Sequence, residues 1–201
     1  ITQYPLNAAI NDVSYMLKVH RNILHINASN KGLIFGDIKI YLTDNTAISS
    51  RDSTVSIPDY TKILDFETNC KYVLLLEKET VFSKLCHQNF LPLMKKFILI
   101  TARGMPDINT RGFLKILTNK LSLPVFALMD PDPYGIHIYI IYKYGSKNLA
   151  HYNFQLNCNF IFWIGVHPSD LIRFLSIKHL LKYIFSYFIQ FKKICCCHHK
   201  L

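Results

Sequence analysis

The chain has 201 residues, half of them hydrophobic, and carries 23 Lys and Arg against 13 Asp and Glu, a formal net charge of +10. That apolar content excludes whole-chain disorder and supports one full domain plus part of another. The basic balance points to a polyanionic partner, nucleic acid or an anionic surface. The uncharged apolar stretch from Tyr183 to Phe191 is far too short to cross a bilayer, so no membrane partner is expected. Six cysteines with no CxxC pair, and no secretory signal, favour a reducing compartment.

Residues 7 to 27 read as two short helices. Ile10, Val13, Met16 and Leu17 repeat at helical spacing in the first, and Ile23, Leu24 and Ile26 form the second apolar set. Gly32 and Gly36 then flank a short apolar run, and Ile38-Lys39-Ile40-Tyr41 alternates, which predicts a β-hairpin or wing. Helix, helix, wing is the order of a winged-helix DNA-binding module, although generic helix-plus-hairpin packing fits these residues equally well. Residues 43 to 60 are polar and read as a linker.

From Cys70 onward, apolar strands alternate with amphipathic helices. The strands are Tyr72 to Leu76, Phe97 to Ile100 and Val125 to Met129. Val81, Phe82 and Leu85 mark one helix, and a second begins near Thr110 with Phe113, Leu114, Leu117 and Leu121 on one face. After Gly135 the pattern suits strand or helix, and its place in the series favours a helix. This is the signature of a parallel sheet covered on both faces.

Acidic residues stand directly after two of these strands. Asp130 and Asp132 lie one residue apart between prolines, so an extended backbone presents both carboxylates to one side. Ligands of open α/β sheets bind beyond the carboxyl ends of the strands. If the first and third strands are neighbours, Glu77 meets the two aspartates there. Like charges that close need a cation between them, and a hard ion such as Mg2+ prefers oxygen donors. An ordinary acidic turn is the competing reading.

Four motifs then fall in order: Glu77-Lys78-Glu79-Thr80-Val81-Phe82, Gly104-Met105-Pro106-Asp107-Ile108-Asn109-Thr110-Arg111, Asp130-Pro131-Asp132-Pro133-Tyr134-Gly135 and Tyr142-Lys143-Tyr144-Gly145-Ser146. Together they resemble the Toprim domain of the meiotic double-strand-break transesterase, the eukaryotic relative of the A-subunit of topoisomerase VI. Asn11 to Val19 and Lys31 to Ile34 resemble the second half of that family's winged-helix domain, and Trp163-Ile164-Gly165 and Pro168 to Leu171 extend the match to about residue 171.

The resemblance implies an α/β fold, a Toprim Rossmann-like parallel sheet preceded by a partial winged-helix domain. The expected division is 1–50 winged-helix, 51–171 Toprim and 172–201 an atypical tail outside the native reading frame. It implies DNA cleavage by tyrosine transesterification, with Glu77, Asp130 and Asp132 holding Mg2+. Glu79, past the strand end, reads instead as a first-turn helix residue. Arg103, Arg111 and Lys31 become DNA phosphate contacts, with solvated or paired side chains as the alternative. The implied partners are double-stranded DNA, a second copy or a paralogue, and a topoisomerase VI B-like subunit, on chromosomes in the nucleus.

Some residues depart from the family. None of the 12 tyrosines lies in the family's nucleophile context, so that residue is expected upstream and these 201 residues alone are expected to be inactive. Ala102 stands where the family usually has glycine, and Arg103 replaces a lysine. The run Cys195-Cys196-Cys197-His198-His199 suggests metal ligands, but adjacent cysteines do not readily converge on one tetrahedral ion. A catalytically inactive DNA-binding paralogue and another Toprim enzyme, a primase or nuclease, are the competing readings.

Overall fold

A computed structural model describes residues 3–19, 21, 23–26, 30–87, 95–147, 149 and 153–170. The tail from 171 to 201, with its cysteine and histidine run, lies outside the described residues. None of the described helices is long and apolar enough to cross a membrane.

The chain opens with α1 (Gln3–Leu17), one helix where the sequence predicted the first of two. Residues 23–25 form a turn instead of a second helix, closed by Leu24 and Ile26 N–H groups donating to Arg21 O. The helical spacing was real, but its apolar residues are not an internal face. Val13, Met16 and Leu17 are exposed, while the small Ser14 is buried.

Two strands follow, β1 (Leu33–Phe35) and β2 (Ile38–Leu42). They do not form the expected wing, because they enter different sheets. Gly36 separates them at φ +138, a conformation side chains rarely adopt, and a Cβ there would sit 2.8 Å from Phe97 O. The hairpin is instead β2 with β3 (Ala47–Ser49). Asn45 takes its left-handed position, and Asp44 Oδ1 accepts from Thr46 N at 3.0 Å.

The stretch expected as a linker is structured. It holds β3, β4 (Val55–Ser56) and the start of a 3-10 turn at Tyr60–Lys62. Its polar residues are spent on turns, while Ile57 is fully buried. Asn109 fastens it from across the core, donating to Ile57 O and Pro58 O and accepting from Tyr60 N at 2.8 Å.

The remaining elements are β5 (Ile63–Thr68), β6 (Tyr72–Leu76), α2 (Glu79–His87), β7 (Phe97–Thr101), α3 (Ile108–Leu121), β8 (Val125–Leu128), α4 (Pro133–Tyr144), α5 (Asn153–Leu156) and β9 (Ile161–Gly165). The helical reading after Gly135 is therefore correct. Six strands form one sheet in the order β4-β1-β7-β6-β8-β9, and β3-β2-β5 form a second. Strands β7, β6, β8 and β9 are mutually parallel, and β1 and β4 add antiparallel at one side.

Residues on both sides of position 50 contribute to each sheet, so the sheets do not part at the expected boundary. No separate winged-helix unit stands out among the described residues. Alternation on β6 explains the layering. Val73 and Leu75 face one core with Phe113, Leu114 and Leu117 of α3, whereas Leu74 and Leu76 face another with Phe82 of α2.

Asp37 pins the crossing from one sheet to the other. Its Oδ1 accepts from Arg51 Nε at 2.7 Å, its Oδ2 accepts from Asn69 Nδ2 at 3.0 Å, and its carbonyl accepts from Thr68 Oγ1 at 2.6 Å. The Asn69 amide, then the Arg51 guanidinium, hold this carboxyl below its ordinary value of 3.8. A depressed folded value means that the stabilisation is present above 3.8 and fades as pH falls through the folded value. Asp37→Ala should therefore lower Tm by about 2–4 °C at pH 7, since it removes the acceptors of Arg51 and Asn69 at the crossing. Thermal melts should show that gap closing below the ordinary carboxyl range.

Candidate metal centre

Strands β6 and β8 pair in parallel with Leu76 opposite Leu128, so the chain leaves both at the same end. The sequence could only make this pairing a condition. Glu77 follows Leu76 directly and joins three strand ends. Its N–H donates to Leu128 O at 3.3 Å, and its carbonyl accepts from Gly104 N at 3.0 Å and Thr101 Oγ1 at 3.4 Å. Its Oε2 accepts from Asp130 N at 2.7 Å, binding the first acid to the loop that carries the second.

Asp132 is the N-cap of α4, in extended backbone, with Oδ1 accepting from Gly135 N at 2.8 Å and Pro133 next in the first turn. That turn folds tightly back on the loop. A Cβ on Gly135 would lie 2.1 Å from Asp130 O, which explains the glycine.

The three acids share one end of the sheet, yet they do not close into a cage. Among the described residues no set of three His, Cys, Asp or Glu side chains is arranged to hold a metal. The reason is visible in their partners. Glu77 turns to the Asp130 amide, Asp132 turns to its helix, and Asp130 Oδ2 forms an ion pair with Lys78 Nζ.

The electrostatics match this crowding. Burial pushes the Glu77 carboxyl above its usual range against the opposing pull of the Asp130 N–H, and the charges of Asp130 and Asp132 push it further. Hydrogen bonding to Asp130 raises the Lys78 ammonium. Carboxylate oxygens are the hard donors that Mg2+ prefers, but on Asp130 the Lys78 ammonium already stands in a cation's place.

Glu79 is the first residue of α2, as expected, and its Oε1 pairs with Arg103 Nη2 at 3.1 Å. Arg103 and Gly104 both take positive φ in the loop after β7, whereas Ala102 is buried and is not among the positive-φ residues. The alanine in place of the family's glycine is therefore accommodated.

Arg111, expected in the loop after the second strand, is instead in the first turn of α3, because Asp107 caps that helix from Thr110 N and starts it two residues earlier than predicted. Its side chain is 1% exposed, and burial lowers it to about 10, still cationic at neutral pH. It lines a cavity of about 680 Å3 together with Asn7, Asn11, Arg21 and His137. Lys31 is exposed just before β1. Lys143 donates to Tyr139 Oη at 3.1 Å and lies over the Tyr139 and Tyr144 rings.

Sequence reasoning missed Lys78 and Asn109. The adjacency of Lys78 to Glu77 at a strand end was a usable signal for the former, and Asn109 gave none.

This arrangement coincides with a recognised domain. The family model for the Toprim domain of the topoisomerase 6 A-subunit/Spo11 proteins matches residues 72–183, which include β6 to β9 and all three acids. The chain belongs to the topoisomerase 6A/Spo11 family. It is 38% identical over 174 residues to Meiotic recombination protein SPO11 of Mus musculus, covering 85% of this chain and 44% of the mouse protein. The human protein of that name is 41% identical over 167 residues, covering 82% and 42%. The DNA topoisomerase 6 A-subunit of Arabidopsis thaliana is 34% identical over 176 residues, covering 84% and 40%. The chain thus spans less than half the length of these Spo11 and topoisomerase relatives.

Proposed function

We propose that this chain supplies the Mg2+-binding half of a DNA transesterase that forms meiotic double-strand breaks. The observation that carries the reading is the clasp of Glu77 Oε2 on the Asp130 amide at the ends of adjacent parallel strands, inside the segment matched by the family. Glu77, Asp130 and Asp132 would hold Mg2+, Glu77 and Asp132 each through the oxygen that takes no backbone N–H. Bound there, the ion supplies charge stabilisation to the non-bridging and leaving oxygens of a phosphodiester under attack.

The protein's own groups do the rest. Glu77 fixes the spacing between the β6 and β8 ends. Asp132, locked as a helix cap, orients the second aspartate position. Arg103 and Lys31 meet phosphates from exposed positions, and the sealed Arg111 contributes positive charge to the cavity without reaching the solvent.

The attacking hydroxyl comes from a tyrosine in a context that the 12 tyrosines here do not provide. Tyr142 is buried, which pushes its hydroxyl above the ordinary value, and Tyr139 is engaged with Lys143 and Ile161 O. The reaction needs double-stranded DNA, a second copy or paralogue and a topoisomerase VI B-like subunit, on chromosomes in the nucleus.

Gel-shift titration of duplex DNA with MgCl2 or EDTA tests this. Expected is Mg2+-dependent binding, at least tenfold weaker in Glu77→Gln, with no covalent protein–DNA adduct from these 201 residues. Binding indifferent to both EDTA and the substitution would sink the proposal. Metal-dependent nicking by these residues alone would favour a different Toprim chemistry.

A further inference from the structure

We propose that Lys78 is a built-in counter-ion of Asp130 that must be displaced before a divalent cation can take that carboxylate. This inference rests on the proposed metal site and concerns how that site is filled.

Four observations carry it. The Lys78 ammonium pairs with Asp130 Oδ2, an oxygen that a cation at the strand ends would use. The other acids are not drawn to the ammonium in the same way, since Glu77 and Asp132 hold backbone N–H groups at 2.7 and 2.8 Å. The Lys78 backbone is fixed, because its carbonyl accepts from Phe82 N at 3.1 Å in the first turn of α2. The side chain is not fixed in that sense, being 55% exposed and carried on a four-carbon stem that can swing into water.

A monovalent group held this way compensates the acidic cluster without filling it. An exposed ammonium–carboxylate pair is weak, so a divalent ion can displace it, but the displacement lowers apparent metal affinity. With Glu77 and Asp132 on backbone N–H groups, this pair leaves each of the three acids with a partner of its own. Once displaced, the ammonium remains beside the site, where a DNA phosphate is the natural next anion.

Calorimetric titration of the full chain with MgCl2 alone and MnCl2 alone tests the idea in the wild type, Lys78→Met and Glu77→Gln. Lys78→Met, which keeps the stem and removes the charge, should bind metal about three- to tenfold more tightly. Glu77→Gln should bind it more weakly. Mass-spectrometric counting of amine acylation on the wild type provides a second measure, and Lys78 should label faster when MgCl2 is added. Unchanged or weaker metal binding by Lys78→Met, with Glu77→Gln still impaired, overturns the counter-ion role alone. Lys78 labelling that ignores MgCl2 overturns it too. A wild type that takes no metal, with Glu77→Gln indistinguishable, overturns the metal site and the counter-ion together.

Discussion

Gly135→Ala is expected to lower Tm by about 6–12 °C and to abolish the response to MgCl2. The added Cβ would meet Asp130 O at 2.1 Å and Asp130 C and N at 2.9 Å, all backbone atoms that cannot rotate aside. Either the first turn of α4 lifts or the Asp130 loop moves, and overpacking of that kind costs about 3 kcal/mol. Both outcomes disturb the site, because the Gly135 N–H is the donor to Asp132 and the Asp130 N–H is the donor to Glu77. Thermal melts and MgCl2 calorimetry on the same preparation check the two effects. A variant that melts with the wild type and binds metal normally would show that α4 does not rest on Asp130.

Phe113→Ala should cost about 3–5 kcal/mol, a Tm loss of roughly 10 °C, and leave a single cooperative transition. Phe113 is fully buried on α3, edge-on to Phe66 of β5 with ring centroids 5.6 Å apart at 86°. Phe66 belongs to the three-stranded sheet, whereas Val73, Ile98 and Ala127 of the same core belong to the six-stranded one. A core shared by both sheets should unfold as one. Scanning calorimetry that resolved two peaks, one of them unchanged by the substitution, would restore a division near residue 50.

The contrast between the two halves explains what could be read in advance. Tyr72 to Leu76 and Val125 to Leu128 are short and wholly apolar, so their strand type and the parallel class of their sheet followed from local pattern, whereas their being neighbours did not. That Glu77, Asp130 and Asp132 stand just beyond the ends of those strands was legible for the same reason. What each carboxylate touches was not legible, because Lys78 and the Asp130 and Gly135 amides converge only through tertiary structure.

The N-terminal third was misread where local pattern and long-range pairing conflict. Ile38 to Leu42 alternates as a strand should, but its partners are β3 and β5, and β1 is drawn to β7, far along the chain. Gly36 marked a turn without saying that the chain changes sheets there. In residues 43 to 60, polarity suggested a linker although the buried Ile57 and the distant Asn109 fasten the segment to the core.

Asp132 carries two duties on one side chain, a mechanical one at the start of α4 and an electrostatic one at the site. Alanine there removes both, uncapping the helix at a cost of about 1 kcal/mol while deleting a charge. Lost DNA binding in that variant would therefore have two inseparable origins. Asparagine keeps the cap acceptor and discards only the charge, so the pair Asp132→Asn and Asp132→Ala divides the architecture of this corner from its chemistry.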